Sequence, residues 1–192
     1  MGSNSKNVEY RDFSLKYLDD IIKIANKRFG KNYYTRENFM KTLDQSKGMC
    51  TVAIDKIKDE VLGYCIFFEE SLKKAEKHFK IPVEELISVT GSGESICHTK
   101  SIALRGNCEK AGIGTELFKQ TLDKAQKLGY KVAWCPAWIR ENYVPVGNVL
   151  KRNDFTYYKT VGNLWEDDKD YKCIVCSGPC KCNAAVYYKI LN

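Results

Sequence analysis

From Val8 to Phe13 apolar and polar side chains alternate, the period of a strand with one buried face. The period then changes: Leu15, Leu18, Ile21, Ile22, Ile24, Ala25 and Phe29 recur at helical spacing until Gly30 ends the run. Thr35 is placed to N-cap a second helix that carries Phe39, Met40 and Leu43 on one face and stops near Gly48. Met49 to Ile54 and Val61 to Phe68 are β-branched and aromatic runs joined by the polar Asp55-Lys-Ile-Lys-Asp-Glu60, which predicts an antiparallel hairpin. Ser95 to Leu104 and Lys131 to Trp138 read as strands on either side of an amphipathic helix from Gly112 to Leu128. That helix carries Ile113, Leu117, Leu122 and Ala125 inward and stops at Gly129. A short helix up to Arg152 follows Asn142 and Pro145, and strands from Phe155 to Trp165 and from Ala184 to Leu191 complete the pattern.

Residues 71–94 interrupt it with a lysine-rich helical stretch, the dipeptide Ile81-Pro82, a short amphipathic segment from Val83 to Val89, and Gly91-Ser-Gly93. A connection that long between strands is usually functional or disordered, so the expected role is a mobile lid over a ligand site. The order β-α-α-β-β, insertion, β-α-β-α-β-β describes one α/β (α+β) domain over residues 1–192, a mixed sheet flanked by helices. Ligands of such sheets collect where neighbouring strands part, at their carboxyl ends.

With 192 residues, 44% of them hydrophobic and 29% charged, the chain can bury a full core, and no apolar run reaches the ~18–20 residues of a membrane span. The net charge of +7 invites anionic partners, but the lysines are dispersed. Their densest stretch, Leu72 to Lys80, also holds Glu76 and Phe79 and reads as the solvated face of a helix. Nucleic-acid binding, which needs Lys and Arg gathered on one face, is therefore not the expected function. Nine cysteines stand against two histidines. An odd count cannot complete a disulfide framework, and MGSNSKNVEY has no apolar signal-peptide core, so thiols in a reducing cytoplasm are expected.

The segment Ile102-Ala-Leu-Arg-Gly-Asn-Cys-Glu-Lys-Ala-Gly-Ile-Gly-Thr115 leads from a strand through a glycine turn into the long helix. Glycines let the backbone approach a ligand, and the free N–H groups and dipole of the helix N-terminus favour phosphate. It is neither a Walker loop nor the dinucleotide G-x-G-x-x-G, and alone it would mean no more than close strand-to-helix packing. Together with the helix and strand that follow, Asn142, and a helix leading into Asp154-Phe155, it resembles the GNAT superfamily of acyl-CoA N-acyltransferases. The family signature Q/R-x-x-G-x-G/A is met by Glu109-Lys-Ala-Gly112-Ile-Gly114, with Glu109 in the place of Gln or Arg.

The resemblance implies a mostly antiparallel sheet with splayed central strands. It also implies acetyl-CoA as co-substrate and a primary amine, on a small molecule or peptide, as acceptor. It places the phosphates on the backbone of Glu109, Lys110, Ala111, Gly112, Ile113, Gly114 and Thr115. The pantetheine arm would lie beside Ile102, Ala103 and Leu104, where that strand parts from Val132 to Trp134, and Asn142 would contact the cofactor. Leu150 stands where many members carry the tyrosine that protonates the departing thiolate, and Asp154 replaces a glycine.

Amine acylation needs a proton acceptor and an acid for the leaving thiolate. His98, on the strand before the glycine loop, is the first candidate base, against the reading of a histidine satisfied within a strand. Cys135 is a candidate acid or transient acyl carrier, against a small buried hydrophobe, and Tyr143 can replace the missing tyrosine if its loop folds back. Trp134 and Trp138, flanking Pro136, read as walls of an acceptor pocket. Cys173-Ile-Val-Cys176-Ser-Gly-Pro-Cys180-Lys-Cys182 suits one structural Zn²⁺ in a closed loop, with redox thiols, merely coincidental thiols or an iron–sulfur cluster as the other readings. A catalytically weak acyl-CoA or metal-sensing module is the alternative function. The acceptor, and whether the chain forms a homodimer, stay open at this level.

Overall fold

The computed structural model describes residues 7–45, 47–91, 93–106, 108–109, 111–168 and 172–191. The elements are β1 (Val8–Asp12), a 3-10 turn (Leu15–Tyr17), α1 (Leu18–Phe29), β2 (Gly30–Lys31), α2 (Arg36–Gln45), β3 (Met49–Asp55) and β4 (Glu60–Ser71). There follow α3 (Leu72–Phe79), α4 (Val83–Thr90), β5 (Ser95–Leu104), α5 (Ile113–Lys127), β6 (Val132–Trp138), α6 (Gly147–Arg152), β7 (Thr156–Val161), β8 (Lys172–Cys173) and β9 (Ala184–Ile190). The main sheet runs β1-β3-β4-β5-β6-β9-β7. Every neighbouring pair in it is antiparallel except β5 and β6, so the sheet is mixed and mostly antiparallel as expected.

Local chemistry accounts for most boundaries. Thr35 and Asn38 exchange hydrogen bonds at the head of α2, Thr35 N to Asn38 Oδ1 at 2.8 Å and Asn38 N to Thr35 Oγ1 at 3.2 Å, satisfying two N–H groups that the helix leaves open. β7 is shorter than its apolar run, because Gly162 and the left-handed Asn163 (φ 49°) turn the chain after Val161.

One face of the sheet is covered by α5 and α6. There Phe118 meets Phe67 and Phe155 edge-on, with ring centroids 5.0 and 5.4 Å apart, above buried Leu117, Leu122 and Leu150. On the other face α1 and α2 cover one half, burying Ile21, Phe39 and Tyr64. The inserted helices α3 and α4 cover the other half, packing Leu72, Phe79 and Leu86 on Ile96, Trp134 and Val186.

The insertion is therefore a fixed cover, not the swinging lid that its length suggested. Ala75, Phe79, Ile81 and Leu86 have no exposed surface, and Lys159 and Lys80 tie the segment to the C-terminal region through Glu85 (2.5 Å) and Glu166 (2.6 Å). Lifting it would expose several side chains worth about 1.5–3 kcal/mol each.

A second, two-stranded sheet joins β2 to β8 and has no counterpart in the sequence pattern. Gly30 makes it feasible: its φ is 136°, and a Cβ there would stand 1.9 Å from the Lys172 carbonyl oxygen.

Candidate active site

β5 and β6 share the register pairs Cys97–Ala133 and His98–Trp134. Beyond them β5 continues to Leu104 against β4, while β6 continues to Trp138 against β9, so the two strands part just after His98. The gap opens at their carboxyl ends, where a ligand is expected. A separate cavity of about 670 Å³, lined by Lys47, Glu69, Ser95 and Tyr130, lies at the opposite ends of these strands, away from the glycine loop. β5 also carries a bulge: Ile66 faces Ser101 and Phe67 faces Thr99, leaving Lys100 as the extra residue at the fork.

Past Leu104 the glycine loop enters α5. Gly112 caps the helix at φ 78°, where a Cβ would meet nothing within 4 Å, so conformation and not space demands glycine. Ile113 and Gly114 are buried, Ala111 and Thr115 half-buried, and Ile102, Ala103 and Leu104 line the strand that leads in. Lys110 lies outside the described residues.

Glu109, the departure from the signature, is ion-paired to Arg28 of α1, whose Nε also donates to the Leu104 carbonyl at 2.7 Å. Arg28 thus compensates the charge that Glu109 brings to the loop. Its partner lies 81 positions away, which no local motif reveals. Asn142 is exposed at φ 70° in the tight turn closed by Arg140 and Tyr143. Tyr143 is exposed there, and its hydroxyl has no hydrogen bond among the described residues.

The two buried candidates lie on opposite faces of the sheet. Cys135 belongs to the cluster under α5 and shares it with Leu150. Burial pushes its thiol up to about 12, opposed by the neighbouring Thr99 hydroxyl, so it stays protonated. A thiol so held can donate a proton but is not the thiolate that an acyl carrier needs.

His98 faces α3. It lies between the rings of Phe68 (4.7 Å) and Phe79 (4.8 Å), and its Nδ1 is 2.8 Å from Glu70 Oε2. Glu70 Oε1 is 2.5 Å from Nδ1 of His78. Burial lowers the His98 pKa, and Glu70 opposes the shift. Burial alone would raise Glu70, but the hydrogen bonds from His78 and His98 outweigh it and hold the carboxyl at about 2. Sequence reasoning missed both partners, having read His78 as part of a solvated lysine-rich face.

Acid stability should report this arrangement. The Glu70 carboxylate contributes fully above the ordinary 4.5, and the contribution is lost as pH falls from there through about 2. The loss is on the order of 3 kcal/mol, taking about 1.4 kcal/mol per unit. Denaturant titrations from pH 5 to pH 2 should show this slope, and Glu70→Gln should flatten it; equal slopes would show that Glu70 is not held this way.

The four cysteines at 173, 176, 180 and 182 converge, every Sγ lying within 4.8 Å of the others. Sγ of Cys182 is 3.9 Å from that of Cys173 and 3.5 Å from that of Cys176, and none of the four is in a disulfide. A tetrahedron with ~2.3 Å metal–sulfur bonds has edges of about 3.8 Å, so these side chains could hold a metal ion. Two donors already face the sulfurs. The Lys181 amide donates to Cys176 Sγ at 3.3 Å. The buried Trp138 Nε1, which has no conventional partner among the described residues, opposes the rise that burial gives the Cys182 thiol. Both groups suit metal-bound thiolates. Tyr33 and Trp165 pack against the knuckle, and β8 ties it to the connection between α1 and α2.

No protein-family model matches the chain, and no curated protein matches it in sequence. Solved structures do. Arabidopsis thaliana NAA60 in complex with acetyl-CoA superposes with a TM-score of 0.71 at 14% identity, over 96% of this chain and 99% of that one. An N-acetyltransferase from Staphylococcus aureus Mu50 gives 0.68 at 15% identity, over 97% and 99% of the two chains. A ribosomal-protein-alanine N-acetyltransferase from Brucella melitensis gives 0.66 at 13%, over 95% and 99%. This likeness, spanning nearly the full length of each chain, shows that the protein has the fold of the GNAT N-acyltransferases.

Proposed function

We propose that this protein is an N-acetyltransferase that moves an acetyl group from acetyl-CoA to a primary amine by direct attack within a ternary complex. The observation that carries this reading is the parting of β5 and β6 immediately after His98, with the glycine loop and the α5 N-terminus at the far end of the gap. The pyrophosphate meets backbone N–H groups from Glu109 to Thr115, with Arg28 cancelling the Glu109 charge. The arm runs along Ile102, Ala103 and Leu104 toward the bulge at Lys100. NAA60 from Arabidopsis thaliana, with acetyl-CoA bound, supports the choice of co-substrate.

His98 takes a proton from the incoming ammonium. The neutral amine attacks the thioester carbonyl, the C–N bond forms, the C–S bond breaks, and the thiolate leaves with a proton from a donor that the second proton of the nitrogen then replenishes. Cys135, on the side of the sheet where Leu150 replaces the usual tyrosine, is the proposed donor, and exposed Tyr143 the second choice. Zn²⁺ is the proposed occupant of the four-cysteine knuckle. With all its positions filled by sulfur it has no open site for chemistry and acts as a staple. No helix among the described residues is long and apolar enough to cross a membrane.

Acetyl-CoA at 100 times its Kd should stabilise the fold by about 2.7 kcal/mol, read as a thermal shift, and an amine panel should show release of free thiol. Absence of a shift with either CoA or acetyl-CoA at millimolar concentration would remove the cofactor assignment. A shift without thiol release on any amine would make the protein an acyl-CoA-binding module instead.

A further inference from the structure

The chain has two histidines, and both converge on one carboxylate. Glu70 and His98 are diagonal neighbours on one face of the β4–β5 ladder, where Phe68 pairs with His98 and Glu70 with Ile96. His78 arrives from α3, part of the insertion. The three groups pass from interior to solvent: the side chains of His98, Glu70 and His78 are 6%, 1% and 57% exposed.

We propose that Glu70 and His78 are positioning residues for the base His98, with the outer member supplied by the inserted helix. The inference rests on the acetyltransferase reading. Glu70 is ionised and can only accept, so the Nδ1 of each histidine is the donor. With Nδ1 of His98 committed, Nε2 carries the lone pair when the ring is neutral, and the same carboxylate stabilises the imidazolium once a proton arrives. His78 occupies the second carboxylate oxygen and so prevents rotation of Glu70 away from His98.

The demand on the base is one proton per turnover. The ammonium nitrogen gives up two protons to become an amide; one leaves with the CoA thiol, and His98 removes the other and returns it to water. Among the described residues the charged or titratable groups facing His98 are Glu70 from β4, His78 from α3 and Lys100 from β5. Lys100 is in turn attracted by Asp168.

The experiment combines turnover with a tautomer measurement. Histidine-¹⁵N-labelled protein yields two ring signals, assigned by the loss of one in His78→Asn. Wild type should show His98 protonated at Nδ1, and Glu70→Gln should mix the tautomers and lower kcat by about 10–100-fold with KM for acetyl-CoA unchanged. The acid limb of kcat/KM should move to lower pH in Glu70→Gln, because burial and Lys100 then act on His98 unopposed. His78→Ala should lower kcat several-fold. His78→Asn, which keeps a donor near the Nδ1 position, should restore most of it.

Glu70→Gln turnover and pH profile equal to wild type overturn the proposal while leaving the acetyltransferase reading intact. So does an Nε2-protonated His98, or a metal ion bound by all three groups that vanishes in His98→Gln. Wild type that releases no thiol with any amine sinks the acetyltransferase reading itself, and this proposal with it.

Discussion

Chelating the metal proposed for the four-cysteine knuckle is expected to lower the melting temperature by on the order of 10 °C, since several kcal/mol would be lost at about 2–4 °C per kcal/mol. The knuckle has little apolar content of its own. Cys173, Cys180 and Cys182 are its buried residues, Ile174 and Val175 are 41% and 40% exposed, and Tyr33, Trp138 and Trp165 only flank it. A metal would tie together four sulfurs that all lie within 4.8 Å of one another. The damage should spread along the β2–β8 pairing to the α1–α2 connection, because Cys173 pairs with Gly30 and the Ile174 amide donates to the Phe29 carbonyl at 3.3 Å. Hydrogen exchange should therefore quicken in both segments. KM for the amine should rise while acetyl-CoA binding on the α5 side stays as it was. Cys182→Ser should reproduce these effects. Purified protein with no metal near one equivalent, and a melting temperature indifferent to chelators, would show that the cysteines hold no structural ion.

Replacing His98 with Ala is expected to lower kcat by about 10²–10⁴-fold, the range for loss of a general base, with acetyl-CoA binding retained. The variant also removes a ring held between Phe68 and Phe79, so thermal unfolding must accompany the kinetics. The pH profile separates the two effects. The neutral imidazole is the active form, and burial lowers its pKa from the ordinary 6.5, so wild-type activity should reach its plateau below the pH of a free histidine. In His98→Ala that limb should vanish and the rate should climb with pH as hydroxide or water takes over. A variant that keeps the wild-type limb would place the base elsewhere.

The contrast between Thr35 and His78 shows what can be read along a chain. Thr35 caps a helix through Asn38, three positions on, and that spacing is visible in the sequence. His78 acts through Glu70, eight positions back and on another element, after the chain has left a strand, turned and laid a helix over the sheet it came from. Its own neighbourhood, Glu76, Lys77, Phe79 and Lys80, signals only an amphipathic helix, which is what α3 is. Arg28 and Glu109 are a second case of the same kind.

The sequence by itself determined the order of the helices and of the main sheet's strands, the glycine turn at the head of α5, and the gathering of four cysteines in one loop, because each depends on neighbours a few residues apart. Tertiary structure alone decided the point, just after His98, at which β5 and β6 part, that Lys100 is the bulged residue, that the insertion is a fixed cover, and that both histidines meet at Glu70. Those features arise where segments far apart in the chain bury their faces on one sheet. The burial energy that brings them together belongs to the packed assembly and leaves no periodicity in any single segment.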